Sequence, residues 1–152
     1  MATNLIQTLN DLLADERAAE NQYRLQSGLA ERWGYKTIAA KFAEEQHEES
    51  EHAGKLVARI YFLSGTPDPK TIGEVNVGDS LQQMLDNNLQ SELRAIRNYD
   101  AAITATRESW DHGTAHMLES ILVDEEGHLL WIEAQKTLIS QMGLDNWLTE
   151  QT

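Results

Sequence analysis

The amino-acid sequence predicts an all-α fold: a four-helix bundle with one long crossover and a short fifth helix at the C-terminus. Three observations predict it. Four segments carry apolar residues at three-and-four spacing, the period of an amphipathic helix. The two prolines, Pro67 and Pro69, lie together near the middle of the 152 residues and leave the rest free to be helical. One pattern also occurs twice. Glu16 is followed 33 residues later by Glu49 and then His52, and Glu92 is followed 33 residues later by Glu125 and then His128.

The first helix spans about 4–32, where Leu5, Leu9, Leu12, Ala19 and Tyr23 line one face and Glu16 falls within the stripe. Gly34 interrupts it. The second runs from about 36 to 64, with Phe42, Glu45, Glu49, His52, Leu56, Ile60 and Leu63 as its stripe. The stretch SGTPDPKTIGEVNVGD then breaks helix at several points and is longer than a tight turn requires. Ser80 with Gln83 reads as a capping box, opening a third helix that runs to about 107 along Leu81, Leu85, Leu89, Glu92, Ala95 and Tyr99. A break near Asp111 to Gly113 precedes a fourth, to about 141, with Met117, Ile121, Glu125, His128 and Ile132 on one side. Gly143 ends it, and LDNWLTEQ supplies the short fifth helix. Two short links and one long one give two antiparallel hairpins joined by a crossover, within one domain covering 1–152.

The halves match beyond the repeated acids. An offset of 76 maps Glu16 onto Glu92, Tyr23 onto Tyr99, Glu49 onto Glu125 and His52 onto His128, and Leu5, Leu9 and Leu13 onto Leu81, Leu85 and Leu89. This is a degenerate duplication, and it places a pseudo-twofold site between the hairpins.

Composition narrows the function classes. The formal net charge of -13 repels nucleic acid and anionic membranes and attracts cations. With no cysteine, disulfides, thiolate metal sites and cysteine chemistry are excluded. No apolar run approaches the roughly 18 residues of a membrane span. The N-terminus shows no basic segment followed by an apolar one, so a cytoplasmic location is expected.

A Glu and a His three apart on a helix point to nearly the same side. Two such pairs on facing helices, with one further Glu from each remaining helix, supply four carboxylates and two imidazoles. That set balances two divalent ions and suits iron or manganese, with zinc also accommodated. Taken singly, an acid on a helix is a solvated face. Here all six residues sit among Leu, Ile, Phe and Met positions, where an unpaired acid is costly. Glu44 and His47 form a third Glu-x-x-His, but His47 lies about 140 degrees around the helix from His52 and has no counterpart at the offset. It reads as surface, as do His112 and His116. Tyr23 and Tyr99 sit two turns beyond Glu16 and Glu92; they read either as core aromatics or as hydrogen-bond partners of site carboxylates and electron donors. Asp124 is placed to orient a ligating imidazole or to be a plain exposed acid.

With these segments in place the whole chain resembles bacterioferritin, of the ferritin-like superfamily. The stretches that carry the resemblance are LLADERAAENQY, EESEHAGKL, LQSELRAIRN, LVDEEGHLLWIEAQ and MGLDNWL. The resemblance implies a di-iron ferroxidase centre formed by Glu16, Glu49, His52, Glu92, Glu125 and His128. It also implies a homo-oligomeric shell of 24 subunits that stores ferric mineral, with the fifth helix lining a shell axis. Two departures matter. The methionine that ligates haem in the family is Ser50 here, a poor replacement for a thioether, which implies a haem-free member or a subunit co-assembling with a haem-bearing one. The inner-surface iron site of the family falls on Glu44 and Glu48, an all-carboxylate pair.

The implied reaction takes two Fe(II) ions, drawn by the acidic surface, and oxidises them with O2 or H2O2. Glu16 and Glu92 are the expected terminal ligands and Glu49 and Glu125 the expected bridges. The main competing expectation is a rubrerythrin-like di-iron peroxidase that stores nothing; Ala95, where that family has an extra Glu, weighs against it. A metal buffer or purely structural bundle is a third reading. Miniature ferritins that coat DNA lack the paired Glu-x-x-His.

Overall fold

The computed structural model describes residues 2–152 and contains five helices: α1 (Ala2–Trp33), α2 (Lys36–Phe62), α3 (Leu81–Glu108), α4 (His112–Met142) and α5 (Leu144–Glu150). The expected bundle, crossover and short fifth helix are all present. No described helix is long and apolar enough to cross a membrane.

The helix ends follow local chemistry. Gly34 adopts φ +91, a left-handed turn that lets Tyr35 N–H return to the Ala30 carbonyl at 3.0 Å and reverses the chain into α2. α2 stops two residues before the expected point, because Ser64 takes φ 62 and Gly65 N–H closes back on the Ile60 carbonyl. The capping box at α3 is realised: Ser80 accepts from Gln83 N–H at 3.1 Å, and the Gln83 side chain reaches back to Asp79 N–H. α4 begins directly after Asp111, which accepts from both the backbone N–H and the hydroxyl of Thr114. Arg59 at the end of α2 binds the same Asp111 at 3.1 Å and Thr114 at 2.7 Å, tying the two hairpins together at that end.

Residues 63–80 form the crossover, which is strapped along α1. Asn10 donates to the Thr66 carbonyl and accepts from Asp68 N–H; Gly73 N–H bonds the Ala14 carbonyl; Gln22 accepts from Asn76 N–H; Gln26 donates to the Val77 carbonyl. The strap therefore advances in the direction of α1 and delivers α3 to its far end. α3 then runs back antiparallel to α1, as shown by the pairs Gln22–Asn88 and Asp15–Asn98.

Two apolar layers fill the bundle. One gathers Leu9, Leu13, Leu56, Ile60, Ile103, Leu118 and Ile121, and the other Phe42, Ile38, Met84, Leu85, Ile132 and Trp147. Each buried aliphatic contributes roughly 1.5–3 kcal/mol. Trp147 anchors α5, donating to Gln135 at 2.9 Å while 1% exposed. Between the two layers lies a belt of buried acids and histidines.

Candidate metal centre

Every acid and imidazole of the repeated pattern is buried in that belt: Glu16, Glu49, His52, Glu92, Glu125 and His128 are all between 1% and 4% exposed. They fall into two groups whose donor atoms lie within 4.8 Å of one another. One is Glu16, Glu49, His52 and Glu125; the other is Glu49, Glu92, Glu125 and His128. Glu49 and Glu125 belong to both. The two imidazoles stack across the centre with ring centroids 6.2 Å apart. His52 Nδ1 lies 2.9 Å from Glu125 and 3.6 Å from Glu16, and His128 Nδ1 lies 3.0 Å from Glu49 and 3.4 Å from Glu92.

The outer nitrogens are held separately. His52 Nε2 meets Asp124 at 3.0 Å, and His128 Nε2 meets Glu48 at 2.7 Å. The offset of 76 carries Glu48 onto Asp124, so the two clamps are equivalent. Such contacts fix the ring and its tautomer, leaving Nδ1 as a lone-pair donor towards the centre. The tyrosines are crossed. Tyr23 on α1 donates to Glu92 on α3 at 2.8 Å, and Tyr99 on α3 donates to Glu16 on α1.

A metal fits this donor set. Each of the six residues keeps a buried atom with no hydrogen-bond partner: Glu16 Oε2, both oxygens of Glu49, His52 Nδ1, Glu92 Oε2, Glu125 Oε1 and His128 Nδ1. Orphaned polar atoms at this density are expensive, and divalent cations between them would satisfy all at once.

Protonation follows the crowding. Burial pushes the Glu49 carboxyl well up, and the neighbouring Glu16 adds to it. Glu125 is raised by burial and then by Glu49, Glu92 and Glu16. Burial also opposes charge on Glu16, but the neighbouring Glu49 and His52 and the Tyr99 hydroxyl outweigh it and hold that carboxyl low. Burial alone would lower both imidazoles; the carboxylates around them, Glu125 first for His52 and Glu45 first for His128, prevail and raise them. The tyrosine hydroxyls are pushed well up, by burial and then by Glu92 for Tyr23 and Glu16 for Tyr99, so both stay neutral donors.

The comparisons agree with this geometry. A model described as a ferritin-like domain matches residues 6–142. The chain is 34% identical to a bacterioferritin from Brucella melitensis over 94% of its own length and 89% of the relative's. It is 35% identical to a bacterial ferritin from Synechocystis sp., covering 94% and 92% of the two chains. A bacterial ferritin from Pseudomonas aeruginosa is 34% identical over 97% and 96%. The chain belongs to the bacterioferritin family.

Within this bacterioferritin fold the other expected residues are also placed. Ser50 is exposed on α2 and offers a hydroxyl, which does not fit haem ligation. His47, His112 and His116 are exposed. Glu44 is exposed too and does not join the group that contains Glu48; that group is Glu45, Glu48 and His128. Glu45 is not one of the acids that the repeat picks out, although it falls in the buried stripe of α2. It is 2% exposed, sits 2.5 Å from His128 Nε2 and is paired at 2.7 Å with Lys41.

Proposed function

We propose that this chain is an iron-storage ferroxidase. Two Fe(II) ions bind as substrate in the two four-donor groups, O2 or H2O2 takes one electron from each, and ferric product is deposited inside a 24-subunit shell in the cytoplasm. The observation that carries this reading is the sharing of Glu49 and Glu125 between the groups. It suits two bridging carboxylates, with Glu16 and His52 completing one iron and Glu92 and His128 the other.

The chemistry of the residues follows from their contacts. Four carboxylates offset the charge of two divalent ions. Asp124 and Glu48 keep the imidazole lone pairs aimed inward. Tyr99 and Tyr23 restrain Glu16 and Glu92 by one oxygen each, leaving the other free for metal. Two Fe(II) supply two electrons, which reduce O2 with two protons to H2O2, or H2O2 with two protons to two waters. The iron performs the redox change; the protein holds geometry and charge. Because Ser50 offers no thioether, a shell of this chain alone is haem-free, and haem would need a co-assembled subunit that has one.

Aerobic loading with a large excess of Fe(II), followed by size-exclusion chromatography with protein and iron read together, tests the proposal. Iron far above two per subunit in a shell-sized particle is the expected result. Iron capped near two per subunit, in a small oligomer, would overturn storage and leave a di-iron enzyme.

A further inference from the structure

A cleft between α1 and α3 reaches the metal centre from the side that the imidazoles do not line. It holds about 30 Å³, room for one or two molecules the size of water. Glu16, Glu49, Glu92 and Glu125 all border it, and the small side chains of Ala19 and Ala95, equivalent under the offset of 76, leave its walls open. Leu12 and Asn88 also line it and are equivalent, each one turn before Glu16 or Glu92. Here the repeat breaks. Leu12 is apolar, whereas Asn88 brings an amide into the same wall while only 1% exposed.

A relay orients that amide. The backbone N–H of Asn76, in the crossover strap, donates to Gln22 Oε1 at 2.9 Å, which leaves the Gln22 nitrogen for the other side. Gln22 Nε2 then donates to Asn88 Oδ1 at 2.8 Å. A backbone N–H cannot accept, so the polarity of the whole relay is fixed at its start. What remains is Asn88 Nδ2, a buried donor with no partner. Leaving such a group unsatisfied is costly, and an apolar residue like Leu12 would avoid the cost. The acceptor it lacks is a small molecule that enters the cleft.

We propose that Asn88 binds the oxidant of the ferroxidase reaction, its Nδ2 donating to an oxygen of O2 or H2O2 held in the cleft beside the two four-donor groups. The inference rests on the ferroxidase reading above. Negative charge builds on that oxygen as the two electrons arrive from iron, before the two protons follow. An N–H already fixed in place stabilises the charge without reorganisation. Asn88 thus touches a reacting atom and is a catalytic residue, although it ligates no metal.

Azide, a small anion that accepts hydrogen bonds at its ends, tests this as a probe for reduced oxygen. The assembled protein is loaded anaerobically with Co(II) and titrated with azide, followed by visible absorption, and initial rates of Fe(II) oxidation are measured alongside. Asn88→Leu, which installs the residue found at the equivalent position, should still bind two Co(II) per subunit. It should weaken azide about tenfold and slow Fe(II) oxidation by a similar factor. Asn88→Met should do the same, so a packing fault in one variant does not decide the matter. Azide that fails to bind the unaltered protein, or an azide affinity or oxidation rate unchanged in both variants, would assign the donor to a resident water and overturn the inference while leaving the ferroxidase reading intact. Loss of a Co(II) ion in both variants would make Asn88 a structural group and overturn the inference too. Fewer than two Co(II) in the unaltered protein would overturn both readings.

Discussion

His52 Nε2 donates to Asp124 Oδ2 across the α2–α4 interface at 3.0 Å, while Nδ1 of the same ring faces the metal groups. One carboxylate therefore decides which nitrogen is available to a metal. Asp124→Ala should leave the ring free to rotate and to change tautomer. Competition with a coloured chelator should show Zn(II) held about 10–100-fold more weakly. An unchanged affinity would mean that packing alone orients the imidazole.

The sharing of Glu49 makes the six ligands unequal. Glu16 serves one group and Glu49 serves both. Glu16→Ala should keep one tight Co(II) per subunit and lose fast Fe(II) oxidation, because two electrons are needed at once. Glu49→Ala should lose both tight ions. Equal stoichiometries in the two variants, measured by equilibrium dialysis, would contradict the bridging assignment.

Metal-stripped protein should lose stability as the pH rises above about 6.5. Glu49, Glu125, His52 and His128 all have folded pKa values raised above their ordinary ones. The folded state then binds more protons than the unfolded chain, so the stability these groups contribute is present at lower pH and lost on the alkaline side. The apparent unfolding temperature, followed by circular dichroism from pH 6.5 to 9, should fall. Zn(II) should reverse the trend by replacing the protons, releasing roughly two or more per subunit at pH 7 in a weakly buffered indicator assay. A flat profile for the stripped protein would show that the carboxyls and imidazoles balance one another without net uptake.

Asp111 joins two helices through one carboxylate, capping α4 and receiving Arg59 from α2. Burial would raise its pKa, but the Thr114 hydrogen bonds and Arg59 prevail and lower it. Asp111→Ala should cost about 1–2 kcal/mol, read as a lower denaturant midpoint. That difference should shrink as the pH falls through the depressed pKa, since the carboxylate's contribution is lost there anyway.

The bundle and the six central residues were legible because both are periodic. Helical spacing marks the buried stripe, and the duplication repeats it, so Glu16 and Glu92 stand out from the many surface acids. Tyr23 and Tyr99 were found by the same offset, but their partners were not. Each bonds the glutamate of the opposite helix, which depends on the α1–α3 register, and the hydrogen bonds of the 63–80 strap help to set that register. Glu45 and Lys41 are not legible in this way, because the offset of 76 carries them onto the apolar Ile121 and Met117. Glu44 and Glu48 are one turn apart in sequence, yet the curvature of side chains around α2 puts Glu45, not Glu44, in the group with Glu48.

Each four-donor group draws on both hairpins: Glu125 crosses to the α1–α2 residues, and Glu49 crosses to the α3–α4 residues. Neither hairpin alone holds a complete set, so a bound ion is a cross-link between them. The strap along α1 then acts as a linker that fixes the effective concentration of one hairpin for the other. Cutting the chain within 66–72, which supplies no ligand, would turn metal binding from an intramolecular event into an association of two fragments, and the affinity of the centre would become dependent on protein concentration.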